Sequence, residues 1–175
     1  MPSQFISPGG TKIQVIAANN ATWNPGALTG GTNLTATAGS IYIASIFVPG
    51  DMVVSGIRYL AGQTSTAGYW TGIIYDTGGN LVGNTAKTST NATPTASTSA
   101  SASLTTGPAL LLGPATYFIG IQFSTTDKIV TAQAGADACS GLLATSQTGA
   151  FGTVPATITP PTAFSADKGP VASLY

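Results

Sequence analysis

The chain has 175 residues, only ten of them charged: five Asp, four Lys and one Arg, with neither His nor Glu. So little positive charge excludes a surface that follows a phosphate backbone, since nucleic-acid affinity comes largely from Lys and Arg releasing counterions. The lack of His removes His-dependent catalytic triads and the commonest metal ligand, while a hydrophobic content of 43% is enough to build a core.

The first ten residues, MPSQFISPGG, show no basic start followed by an apolar run, so no secretory signal is expected. Helix formers are scarce, and Gly or Pro interrupts almost every window long enough for a helix, which leaves strands to carry the core. Residues 12–17 read as a strand and are followed by a polar, Gly-rich stretch around Trp23-Asn24-Pro25-Gly26. Ile41 to Val48, IYIASIFV, carries large side chains on both alternating faces, as expected of a strand covered on two sides. It is the longest apolar segment and is far short of the roughly 20 residues that span a bilayer. Pro49-Gly50-Asp51 ends it with turn residues.

Residues 52–60 follow as one strand, with Val53, Ile57 and Tyr59 on one face and Met52, Val54, Arg58 and Leu60 on the other. Residues 69–76 repeat the pattern, and Thr77-Gly78-Gly79-Asn80 joins them to Leu81-Val82 as the strongest hairpin signal in the chain. Residues 84–106 are nearly all Thr, Ser, Ala and Asn. Side chains this small bury little area, so the stretch is expected to be either a long surface loop or an edge strand. Apolar order resumes at Pro108-Ala109-Leu110-Leu111-Leu112, then continues over 115–123 with Tyr117, Ile119, Ile121 and Phe123 on one face. Thr125-Thr126-Asp127 is expected to turn into a further strand over 128–133. From Gly141 onward Pro155, Pro160, Pro161 and Pro170 separate large apolar residues, and proline at that density is expected to prevent a central strand. An extended arm is expected there, docking Phe151, Ile158, Phe164 and Tyr175 onto its own core or onto a neighbouring subunit.

Candidate chemistry is sparse. Cys139 has no partner for a disulfide and no His to activate it, so it reads as a small packed thiol. Asp51, Asp76, Asp127, Asp137 and Asp167 all lie beside turn residues or near a chain end, where Asp serves by bonding nearby backbone N–H groups. No catalytic, cofactor or metal residue is expected, and no phosphate loop, dinucleotide fingerprint or nucleophile elbow is present. Aromatic rings near loops can stack on the apolar face of a sugar. Trp23, Tyr69 and Trp70 are the candidates for such a glycan contact, or alternatively for packing at the core or an interface. Tyr69 and Trp70 point to opposite faces of one strand, so at most one of them faces the core.

The succession of Ile57-Arg58-Tyr59, then Ile74-Tyr75-Asp76 with its Gly-Gly turn and Leu81-Val82-Gly83, then Leu110-Leu111-Leu112-Gly113-Pro114-Ala115-Thr116-Tyr117, resembles small β-sandwich structural proteins of tailed bacteriophages. The run Phe151-Gly152-Thr153-Val154-Pro155, Pro160-Pro161-Thr162-Ala163-Phe164 and Gly169-Pro170-Val171 is similar to the C-terminal segment of the same group. The resemblance spans 41–175 and carries over no functional residue. It implies a capsid decoration, head-fibre or tail protein that works as an oligomer.

The expected fold is therefore all-β: an antiparallel β-sandwich, jelly-roll-like, with six to eight strands and an extended Pro-rich C-terminal arm. Its expected parts are an N-terminal segment 1–40, a β-sandwich core 41–135 and the arm 136–175. The expected function is that of a non-enzymatic virion structural protein without cofactors, assembled in the host cytoplasm with other virion proteins and as a homo-oligomer, a trimer being favoured. No membrane or nucleic-acid partner is expected, and the alternative is a carbohydrate-binding β-sandwich module such as a tail receptor-binding protein.

Overall fold

The computed structural model describes residues 15–16, 32–62, 68–89, 98–126, 128–131, 143–165 and 167–175. Trp23, Asp127, Asp137 and Cys139 lie outside them. The described residues form fourteen strands and no helix: β1 (Val15–Ile16), β2 (Thr32–Thr35), β3 (Ile41–Val48), β4 (Met52–Val54), β5 (Gly56–Ala61), β6 (Tyr69–Tyr75), β7 (Leu81–Asn84), β8 (Thr88–Ser89), β9 (Thr98–Ser103), β10 (Ala109–Leu111), β11 (Ala115–Phe123), β12 (Lys128–Thr131), β13 (Ala144–Gln147) and β14 (Ala172–Leu174). The count exceeds six to eight because many strands are two to four residues long, too short for an alternation to declare itself.

All strand pairings are antiparallel. One six-stranded sheet runs β1-β14-β5-β12-β2, with β9 on the other edge of β5: Tyr59 pairs with Ala172 on one side and Ala100 on the other. A second six-stranded sheet runs β13-β3-β11-β6-β7, with β8 also on β6. β4 and β10 form a separate two-stranded ribbon.

That ribbon continues the β3–β11 pair. Val48 faces Ala115 in one ladder and Met52 faces Leu111 in the next. Three residues on each strand separate the ladders (49–51 and 112–114), so the register resumes unshifted. At the break a Cβ on Gly113 would lie 2.6 Å from the Gly50 nitrogen, so the two chains approach too closely for a side chain there. The Gly113 N–H donates to Asp51 Oδ1 at 3.0 Å. Alternation also persists through the break. Ile46, Val48, Val54, Leu111, Tyr117 and Ile119 all face one core, while Phe47, Val53, Leu110 and Leu112 face away from it.

Both large sheets contribute to that core. Ile57, Tyr59, Ile129 and Leu174 come from the first, and Tyr42, Ile46, Trp70, Ile74, Ile119, Ile121 and Phe123 from the second. Tyr59 meets Trp70 and Phe123 edge-on, with ring centroids 4.7 and 5.6 Å apart. Each such pair contributes about 0.5–1.5 kcal/mol beyond area burial. The sequence-based facing of 52–60 needs correction here. Ser55 separates β4 from β5 and shifts the phase by one residue, so Met52 and Val54 share the core with Ile57 and Tyr59, while Val53 faces solvent.

The opposite face of the second sheet has its own cluster: Ile41, Ile43, Ile73, Tyr75 and Phe118, covered by Leu143, Val154 and Ile158. Residues 148–165 therefore lie against their own chain. Ile158 N–H donates to Gly79 O, Leu81 N–H to Ala156 O, Tyr75 OH to Pro155 O and Gln147 Nε2 to Thr159 O. The expectation that the C-terminal prolines rule out a central strand fails at β14, which lies between β1 and β5 with Leu174 fully buried. Each of Pro155, Pro160, Pro161 and Pro170 sits outside a strand, so the donor that proline lacks is never needed in the ladder.

Candidate interaction surfaces

The β6–β7 hairpin turn forms as its residues suggest. Asp76 N–H donates to Asn80 O and Gly79 N–H to Asp76 O, while Gly79 adopts a positive φ of 83° that favours glycine. The Asp76 carboxylate faces Asn80, whose amide Nδ2 lies 3.1 and 3.0 Å from its two oxygens and whose backbone N–H donates at 2.8 Å. These donors, the Asn80 side chain foremost, hold the carboxyl below its ordinary value. Asp76 is thus an acceptor within its own turn. Asp51 caps the ribbon break, and Asp167 occupies a turn with φ of 59°. Among the described residues no three His, Cys, Asp or Glu side chains cluster as metal ligands.

The aromatic candidates part company. Trp70 is fully buried against Tyr59 and offers no ring face to solvent. Tyr69, its neighbour on β6, is 46% exposed. Its backbone is fixed in both directions by Ser124, whose Oγ accepts from Tyr69 N–H at 2.9 Å and whose N–H donates to Tyr69 O. Lys87, just before β8, places its ammonium 4.3 Å from the Tyr69 ring centroid and 5.4 Å from that of Phe151. One cation thus bridges two aromatic rings from distant parts of the chain, a contact worth about 0.5–1 kcal/mol at an exposed site. A sugar stacking on the same face of Tyr69 has to displace that cation. Lys87 was not singled out by the sequence, because its two rings lie 18 residues before it and 64 after.

Of the residues expected at a subunit interface, Ile158 is buried in the second cluster and Phe164 packs against the main core. Tyr175 lies beside Gly56 with the Arg58 guanidinium 5.8 Å from its ring centroid, and Phe151 is half-buried beside Lys87. All four therefore have contacts within their own chain.

The ribbon presents a different kind of surface. Val53 and Leu110 are register partners, 64% and 60% exposed, and Leu112 beside them is 59% exposed. Phe47, at 49%, lies on the same side of the continuous ribbon. The sequence signal was present in the parity of these residues against the core face, but the turn residues Pro49-Gly50-Asp51, which read as the end of a strand, hid it.

Comparisons of the chain with protein-family models, with curated proteins and with solved structures give no match.

Proposed function

We propose that the two six-stranded sheets are the layers of a β-sandwich, and that the chain is a non-enzymatic structural protein of a tailed-phage virion. In this reading it is a capsid decoration, head-fibre or tail component, assembled in the host cytoplasm as a homo-oligomer, with a trimer favoured. The observation that carries the reading is the bare aliphatic face at Val53, Leu110 and Leu112. Apolar residues gathered on one surface mark an association site. The lack of His and Glu and the engagement of Asp76 and Asp51 in backbone contacts favour a role in assembly over one in catalysis. Residues 41–175 carry the resemblance to phage structural proteins on turn and strand motifs, and Asp76 with its Gly-Gly turn forms the hairpin on which part of that resemblance rests. Gradient purification of intact particles tests the proposal: the chain should co-migrate with them at a fixed ratio to the major capsid or tail protein. Recovery solely in the unassembled fraction would overturn it.

A second reading, a carbohydrate-binding module, draws on exposed Tyr69 beside Lys87 and Phe151. Glycan-array binding that Tyr69→Ala abolishes would favour it. Binding that survives this substitution would place any glycan elsewhere.

A further inference from the structure

We infer that the bare end of the β3–β4/β10–β11 ribbon is the surface through which copies of this chain associate. The inference rests on the proposal that the protein is a homo-oligomer and assigns the place where its copies meet. One continuous ribbon face is treated in two ways. Toward Ile41, Ile43 and Phe118 it is covered by the chain's own Val154 and Ile158. Beyond the break at 49–51 and 112–114 it carries Val53, Leu110 and Leu112, each about three-fifths exposed, with half-exposed Phe47 at the near margin.

These four side chains leave on the order of 400 Å² of apolar surface bare, in the range of the largest and often functional patches on soluble proteins. That is about half of the roughly 800 Å² each partner contributes to a stable interface. The rim can supply the rest, because Pro49, Pro108 and Pro114 are exposed around it and lack an N–H that burial would orphan. Three backbone groups at the break are already satisfied. Leu112 N–H donates to the Tyr117 hydroxyl and that hydroxyl donates to Leu112 O, both at 3.0 Å, and Gly113 N–H is held by Asp51. Covering the patch therefore removes aliphatic carbon from water without breaking hydrogen bonds at these positions.

The occupant is a second copy of the chain. Between 47 and 54 and between 109 and 116 the one charged side chain is Asp51, so the face sets almost no charge requirement that a partner of opposite sign would have to meet. The same face on another copy is equally apolar and uncharged, and two such faces bury about 800 Å² between them, so the proline rims supply the rest of the roughly 1,200 Å² at which specific interfaces begin.

Light scattering of the full chain across the micromolar range tests this, using Leu110→Asp and, independently, Val53→Asp. Leu81→Asp serves as an exposed apolar control outside the ribbon. The wild type and Leu81→Asp should show a multiple of the 17.3 kDa chain mass, and both ribbon variants should fall to the single-chain value with unchanged melting profiles below the association range. A wild type at single-chain mass throughout would overturn the homo-oligomer reading and the inference with it. A wild-type oligomer whose mass neither ribbon variant lowers would overturn this surface alone.

Discussion

Leu174 offers a quantitative test of how the C-terminal residues are used. It is fully buried and pairs with Ile57 on one side and Val15 on the other. Replacing it with Ala removes its share of the main core and leaves a cavity that two flanking strands cannot readily close. Leu→Ala at such sites costs about 2–5 kcal/mol, and the paired neighbours place this one at about 3 kcal/mol or above. For a chain of this size each kcal/mol lowers the melting temperature by about 2–4 °C, so a fall of roughly 6–12 °C is expected. Leu81, at 36% exposure, has less to lose, and Leu81→Ala should shift the transition by less than about 4 °C. Calorimetric melts at one protein concentration provide the comparison, since association would otherwise move the midpoint. A Leu174→Ala shift below about 3 °C, or one no larger than that of Leu81→Ala, would refute the placement of β14 inside the sheet.

Other consequences follow from single groups. Gly79→Ala should destabilise by more than about 1 kcal/mol, because φ is positive there and the new Cβ would collide with the Ile158 carbonyl; an unchanged urea midpoint would contradict this. Burial pushes the Tyr75 hydroxyl up to about 12, whereas an unfolded tyrosine ionises near 10. Its stabilising effect is thus complete below pH 10 and is lost as pH rises from 10 toward 12, so ultraviolet titration should show a late-ionising phenol step that Tyr75→Phe removes. Asp76 has the opposite sign. Its lowered carboxyl value stabilises the fold above the ordinary carboxylate range and ceases to do so as pH falls through the folded value, so Asp76→Asn should flatten the acid side of a melting-temperature profile.

The parts of the fold legible in the sequence are those whose signal is local. Tyr117, Ile119, Ile121 and Phe123 alternate on β11 and share the core, and the Gly-Gly turn gives the β6–β7 hairpin. Of the loop or edge strand expected in the Thr/Ser/Ala-rich stretch, residues 98–103 form the edge strand: β9 pairs along all of β5, with Ala100 and Ala102 against the core and Ser101 and Ser103 outward. What escaped depends on pairing across long separations. Pro49-Gly50-Asp51 reads as the end of a strand, but it faces Gly113-Pro114 across one ribbon, and the break does not shift the register. The phase slip at Ser55 has no local composition signal, and it decides whether Val53 is core or surface. Tyr69 was visible as a candidate because it is aromatic, whereas its partnership with Lys87 and Phe151 arises from the second sheet and the segment laid over it.

The most direct test of the assembly role is quantitative mass spectrometry of gradient-purified intact phage particles, calibrated against the major capsid protein. This chain should be present at a fixed number of copies per particle, a number compatible with the symmetry of the capsid or tail that carries it. Particles that are complete and infectious but contain none of it would contradict an assembly role.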